Sequence, residues 1–309
     1  MLARLKKTLR TPGAAKLMLV ACALIWGSSM FMMKDATESL PVFWLLMLRF
    51  GIAAVLTMTA FWKQVRAHLD RRTVGVGLWL GVLEWGGYAV QTVGLTMTTP
   101  GKASFITGSY CVMVPFIAWV LGMGKPHRYD LVAAVMCSGG LALVALDQGL
   151  PINPGDLLTV FCALLYALQL VEVSRRGAEL DVWALTAWQF VFMTVASGAI
   201  ALFEPVPAAN VWTPELFGSL AYFGVMCSFV CLTLMNYAFT RVPPAEGSLL
   251  ASLESPFGVF FSVLAGREVL NGRVVSGFVL IFMAVLVSNG WVWLRDKVRA
   301  ARAAREAER

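Results

Sequence analysis

Three ionisable side chains stand inside stretches that are otherwise apolar, small or hydroxyl-bearing: Arg49 in LLMLRFGIA, Glu84 in GVLEWGGYAVQTVGL and Glu254 in SLLASLESPFGVFF. A charge at the centre of a bilayer costs at least about 2.5–3.5 kcal/mol, so such residues persist where they face a cavity or a partner. Glu84, Tyr88 and Gln91 share one helix face over two turns, on a segment built mostly of glycine, valine and leucine. A polar stripe of this kind, pointed into a cavity, could bind a proton or a substrate, and Glu84 is its first candidate. The alternative is interhelical packing, for which Gly86 and Gly87 allow close approach.

Glu254 precedes Pro256 by two residues. The proline supplies no backbone donor and opens the helix, and the freed carbonyls must face protein or water. A carboxylate beside such a break can take up a proton, bind a cationic group, or act as a buried hydrogen-bonding strut. Pro115 is the matching mid-helix proline of the first half, so Pro115 and Pro256 are both expected helix breaks. Arg49 stays protonated at depth and therefore needs an acceptor. A structural ion pair with Glu84 or Glu254 is the first reading, and a substrate carboxylate the second. Trp26, Tyr110, Tyr166, Gln189 and Asn236 could add aromatic walls and hydrogen bonds to a cavity, with Ser28, Ser29, Ser104, Thr107, Gln169 and Ser252 beside them. Residues of these types also serve as packing or interface anchors, and Trp85 and Trp188 share that ambiguity.

The elements that must position these groups follow from composition. Of 309 residues 59% are hydrophobic and 14% charged, whereas a soluble domain carries about a quarter charged residues. The charges cluster, and between the clusters lie apolar stretches of roughly the 17–25 residues that cross a hydrocarbon core. These stretches are continuous rather than alternating, which excludes a β-barrel. The fold class is an all-α polytopic membrane protein with ten expected spans: 16–33, 41–62, 74–98, 102–122, 130–147, 155–174, 183–203, 214–239, 245–265 and 273–294. The basic N-terminus before LMLVACALIWGSSMF has a secretory outline but no small-x-small cleavage site, and reads as an uncleaved first helix.

Twenty lysines and arginines fall on the side of the N-terminus; Lys34, Lys102, Arg267 and Arg273 fall on the other. The positive-inside rule therefore places both termini in the cytoplasm. The net charge of +7 is explained by topology and calls for no nucleic-acid partner. The C-terminal RDKVRAARAAREAER reads as a basic helix near anionic headgroups. Cys22, Cys111, Cys137, Cys162, Cys227 and Cys231 all lie within expected spans, where they read as packing residues. No His or carboxylate stands beside Cys227 and Cys231 to complete a metal site. No cofactor is indicated. His68 and His127 lie in expected loops, HExxH and GxSxG are absent, and GMGKPH lacks the spacing and the Ser/Thr of a phosphate loop, so the sequence argues against an intramembrane enzyme or an ATP-driven pump.

The chain repeats itself. Trp26 precedes Arg49 by 23 residues in LIWGSS…LMLRFGIA, and Tyr166 precedes Gln189 by 23 in LLYALQ…TAWQFVFM, an offset of 140. GLTMTTPGKAS (94–104) matches AFTRVPPAEGS (238–248) at an offset of 144. The halves, 1–150 and 151–309, each hold five expected spans, and an odd number forces opposite topologies on the copies, the inverted repeat of secondary transporters. Glu84 and Glu254 have no charged counterpart in the other half, where Ser228 and Met113 stand.

WGSSMF, LRFGIA, GLTMTTPGKASFITGSYCVMVPFIAWVLG and EGSLLASLESPFGVFFSVLAGREVL, in that order, resemble the EamA family of the drug/metabolite transporter superfamily over nearly the whole chain. The resemblance implies an inner-membrane carrier of two five-helix inverted repeats around a central cavity, and similar proteins export amino acids, other metabolites or toxic compounds. It also places an acidic residue before the proline of span nine. The family's acidic Gly-Glu turn after span four is replaced here by GMGKPH, while the second half keeps Arg267-Glu268. The expectation is secondary active export of a small metabolite, amino acid or drug-like compound by alternating access, with H+ as candidate coupling ion. The alternative is a channel or a non-transporting membrane scaffold. Oligomeric state is not readable from the sequence.

Overall fold

The computed structural model describes residues 11–98, 100–145, 153–264, 266, 272–273 and 275–287. The basic N-terminal segment, Arg267-Glu268, the end of the tenth expected span and the C-terminal tail lie outside the described residues. Helix dominates, and no strand occurs among the described residues.

The first half contains α1 (Pro12–Ser39), α2 (Val42–Ala60), the short α3 (Trp62–Ala67), α4 (Arg71–Met97), α5 (Pro100–Gly108), α6 (Tyr110–Val120) and α7 (Arg128–Ala145). The second half contains α8 (Pro154–Arg176), α9 (Val182–Ala201), α10 (Pro214–Ala221), a π-helical stretch Tyr222–Val230, α11 (Cys231–Phe239), α12 (Pro244–Ala251), α13 (Glu254–Leu264) and α14 (Val275–Val287). Among the described residues, five helical stretches are long and apolar enough to cross a membrane: α1, α2, α8, α9 and the continuous run Pro214–Phe239. Large apolar side chains such as Val55, Val135, Leu157, Phe161 and Val195 point outward from the bundle, as expected of surfaces that meet lipid.

Helix ends are closed by local chemistry and by reciprocal contacts between helices. Thr11, Asn153, Asp181 and Thr213 cap α1, α8, α9 and α10, each accepting from a backbone N–H two or three residues on. Asp70 does the same for α4, and the hydrogen bonds from Thr73 hold its carboxyl below the usual range. The start of α2 has no side-chain cap of its own. Glu204, beyond α9, supplies it by accepting from the Phe43 and Trp44 N–H groups at 3.0 and 3.2 Å. At the far end of α4, Lys34 of α1 donates to the Leu95 and Thr96 carbonyls at 2.7 and 3.2 Å, satisfying groups that a helix end leaves open.

α4 is the central helix, packed along α8 and α9. Its crossing with α8 is made backbone to backbone. A Cβ on Gly94 would lie 2.9 Å from the Gly155 carbonyl oxygen, and one on Gly155 would lie 2.7 Å from that of Gly94. Small residues let transmembrane helices approach this closely. Gly94→Leu is therefore expected to cost the folded state, seen as loss of the monodisperse peak on size exclusion in detergent. Gly75→Leu, at a position with open space around its Cβ, should leave the peak in place.

Two expected spans are broken, in the same way. Between α5 and α6 stands Ser109 (φ −64°, ψ −10°), and after α12 stands Ser252 (φ −67°, ψ −7°). Each hydroxyl donates back three residues, Ser109 to Ile106 O at 2.6 Å and Ser252 to Leu249 O at 3.0 Å. Pro256 has no N–H for the Ser252 carbonyl, and Ser255 N donates to it instead at 3.2 Å, tightening the turn. Glu254 is consequently the first residue of α13, not a mid-helix residue. Pro115 corrects the expectation made for it: it sits inside α6, and the break falls six residues earlier at Ser109. Span eight also departs from a single α-helix through its nine-residue π stretch.

Candidate functional site

Glu84, Tyr88 and Gln91 do line one face of α4, and that face opens on a cavity of about 60 Å³, room for roughly four or five waters. Trp26 of α1, Arg49 of α2, Tyr110 of α6, Tyr166 of α8 and Glu254 of α13 line the same space. Both halves of the chain contribute.

The charged groups are set differently. Arg49 is 2% exposed, and its guanidinium carbon lies 4.8 Å from the Tyr88 ring centre, 5.1 Å from Phe50 and 5.8 Å from Phe223. Nε donates to Ser228 Oγ at 3.0 Å. No carboxylate lies within ion-pair distance of Arg49 among the described residues, so the direct pair with Glu84 or Glu254 expected from sequence is replaced by an aromatic box and a serine. Its remaining N–H groups find no acceptor among the described residues. Glu84 is 1% exposed, and its Oε2 is buried without a hydrogen-bond partner. Glu254 is half-buried and lines the same cavity.

The walls are held by bonds within the first half and between the halves. Tyr166 OH donates to Gln91 Oε1 at 3.0 Å, and Gln91 Nε2 donates to Thr107 Oγ1 at 3.1 Å. A Cβ on Gly87 would lie 2.4 Å from Tyr166 Cε1, so this glycine is what lets the tyrosine reach across. Trp26 Nε1 donates to the Cys227 carbonyl at 2.7 Å. The Cys231 N–H, which would take that carbonyl in an α-helix, bonds Met226 and Ser228 instead at the end of the π stretch. π stretches of this kind occur often at functional sites. Gly27, next to Trp26, brings α1 against the start of α13: a Cβ there would lie 2.9 Å from the Glu254 carbonyl oxygen and 2.6 Å from Phe257 Cβ.

A family model, that of the EamA-like transporter family, matches residues 14–146 and again 153–290. The chain belongs to the EamA-like transporter family. An uncharacterized transporter of Archaeoglobus fulgidus is 29% identical over 273 residues, which is 88% of this chain and 85% of that one. An uncharacterized inner membrane transporter of Escherichia coli, YedA, is 23% identical over 285 residues, covering 88% of this chain and 90% of its own. A solved crystal structure superposes with a TM-score of 0.75 at 17% identity, over 89% of this chain and 96% of that chain, a likeness of fold. This EamA-family chain is thus a multi-pass membrane transporter.

Gln189 and Asn236 stand outside the cavity of this transporter, one layer behind Gln169. Trp85 donates Nε1 to Ser197 Oγ at 3.0 Å and packs near Phe43 and Phe192, a contact between α4 and α9. Met30, Met33, Thr92, Leu95, Leu170 and Met235 line the cavity and were not singled out in the sequence. Thr92 and Leu95 continue the Glu84–Tyr88 face by a further turn, and Met30 and Met33 continue that of Trp26. Extending each stripe at helical spacing would have found those four.

Proposed function

We propose that this transporter is a secondary carrier working by alternating access, with Glu84, Arg49 and Glu254 as its substrate and coupling groups. The reading assigns it ten spans in two inverted five-helix repeats, both termini on the cytoplasmic side, and export of a small metabolite, amino acid or drug-like compound. H+ is the coupling ion the two carboxylates suit, because burial penalises the ionised form of a carboxylate and so favours exchange of a proton.

The observation that carries the reading is the meeting of two carboxylates, one with a buried oxygen that has no hydrogen-bond partner, and one aromatic-boxed arginine in a single cavity lined by both halves. Intramembrane ionisable residues mark substrate and proton routes. The matched breaks at Ser109 and Ser252, with the same backbone angles and the same hydroxyl bond three residues back, support the repeat and provide hinge points beside the cavity. A volume of about 60 Å³ is small for a ligand site, as expected when both gates are shut.

The test begins with a thermal-shift screen of the purified protein against amino acids, sugars and cationic drugs, followed by flux in proteoliposomes. A carrier shows saturable flux and counterflow of the stabilising compound, with export accelerated by an opposing proton gradient. Unsaturable flux with measurable conductance would assign a channel instead, and loss of flux stimulation by any proton gradient would remove H+ from the reading.

A further inference from the structure

An ion pair away from the cavity joins the two halves of the chain. Lys16, one turn into α1, pairs with Glu246 in the first turn of α12. The Glu246 side chain is 3% exposed and that of Lys16 29%. Taking away the partner of a buried charge is costly, because the charge that remains is left without water and without compensation. Glu246 is thus suited to burial while Lys16 lies against it, and to hydration once α12 moves off α1. α12 is an eight-residue arm. It runs from this pair to the turn at Ser252, and Glu254 of the cavity wall follows.

The repeat sets the same residue types, with the charges exchanged, at the opposite end. KLMLVACALIW (16–26) aligns with DLLTVFCALLY (156–166) at the offset of 140, and GKAS (101–104) with AEGS (245–248) at the offset of 144. Lys16 therefore corresponds to Asp156, and Glu246 to Lys102. Asp156 stands in the first turn of α8, 4% exposed, and Thr98 Oγ1 donates to its Oδ1 at 3.0 Å. Lys102 is the third residue of α5, as Glu246 is of α12, and α5 is the nine-residue arm that runs to the turn at Ser109 and brings Thr107 to the cavity. The two locations are far apart. Gly155, beside Asp156, meets Gly94 near the end of α4, and the Leu95 carbonyl there accepts from Lys34 near the end of α1. Asp156 thus lies where α1 finishes and Lys16 where it starts. The helix from Lys16 to Lys34 is roughly 27 Å long at about 1.5 Å per residue.

We propose that the Lys16–Glu246 pair is a latch that holds α12 against α1 and shuts one end of the cavity, and that Lys102 and Asp156 hold the other end by the same attraction with its polarity reversed. The proposal rests on the alternating-access reading and deepens it by naming what keeps each end closed. Each arm swings at its serine turn, so releasing a latch opens a route from that end to the cavity groups beside the turn. The released carboxylate is then hydrated, which offsets the loss of its partner. Opening at one end and opening at the other are alternatives of one equilibrium. Weakening one latch shifts the population towards opening there, and weakening the other shifts it back. An ion pair that only braced α12 would not respond to a charge at the far end of α1.

The experiment reads distance and needs no transported compound. Spin labels on Gly13→Cys and Pro243→Cys, exposed positions three residues before each member of the pair, report the α1–α12 separation in reconstituted full-length protein by electron–electron double resonance. The native cysteines are buried and leave the label to these two sites. Lys16→Ala, which leaves Glu246 without its partner, is expected to raise the long-distance population at least about tenfold, within the roughly 5- to 150-fold range of coupling between sites. Glu246→Gln should act in the same direction. The charge exchange Lys16→Glu with Glu246→Lys should return the short distance, and so should Lys102→Ala added to Lys16→Ala. A wild-type distribution in both Lys16→Ala and Glu246→Gln would overturn the latch. A shift that Lys102→Ala leaves in place would overturn it too, since the pair would then be a brace. Failure of the carrier reading shows separately, as unsaturable flux in the proteoliposome assay whatever the distances.

Discussion

Glu84→Gln is expected to lower proton-driven transport roughly 10- to 100-fold, the span of a typical coupling free energy between two sites, while counterflow exchange of the same compound persists. The reason lies in what surrounds the carboxylate. It is 1% exposed, its Oε2 has no hydrogen-bond partner, and it faces the cavity that Arg49 and Glu254 also line. Glutamine keeps the shape and the acceptor oxygen, so binding and the conformational cycle are preserved, but it cannot take up and release a proton. Uptake into inside-out vesicles under an imposed gradient reads the first effect, and labelled-compound counterflow without a gradient reads the second. Glu254→Gln belongs in the same series. Unchanged proton-driven transport in both variants would place coupling outside this cavity.

Arg49→Lys is expected to be nearly as damaging as Arg49→Leu, in stability as well as in transport. Arginine here sets its guanidinium carbon 4.8–5.8 Å from the ring centres of Tyr88, Phe50 and Phe223 and sends Nε to Ser228. A lysine ammonium has no planar face, carries no donor at the Nε position and is more strongly hydrated, so the charge alone does not restore the contacts. Losing desolvated cation–π contacts and a charged hydrogen bond costs about 2–4 kcal/mol. The thermal midpoint in detergent should fall accordingly. Ser228→Ala should add little on top of Arg49→Lys, because the bond it removes is already gone. A lysine variant with wild-type midpoint and transport would show that only a positive charge is required at this position.

Much of the site was legible because helix periodicity is local. Four- and seven-residue spacing puts Glu84, Tyr88 and Gln91 on one face of α4 whatever α4 packs against, and an ionisable side chain amid hydrocarbon signals a cavity without reference to neighbours. Composition alone required helices long enough for a bilayer, and the family assignment rests on motifs spread along the chain. Other features were not local. Arg49 was expected to meet a carboxylate because charge asks for countercharge. Which residue it meets depends on α2 lying against the π stretch, and there it finds Ser228 and three rings. Pro115 and Pro256 look equivalent in sequence. In the structure α6 continues past Pro115, while the chain turns at Ser109 and Ser252. Gln169 and Asn236 gave no distinguishing pattern on their own helices, since their role arises from a hydrogen bond between residues 67 positions apart.

What the sequence by itself determined, then, is the class of protein and the residues whose burial needs a reason. Hydropathy and helical spacing are properties of single segments, and each was readable without a partner. The tertiary structure decided which of those residues share a cavity and which serve as its walls. It also decided where spans four and nine bend and how the polar atoms behind the cavity connect, because those depend on helices from opposite halves touching at glycines such as Gly27, Gly87 and Gly94.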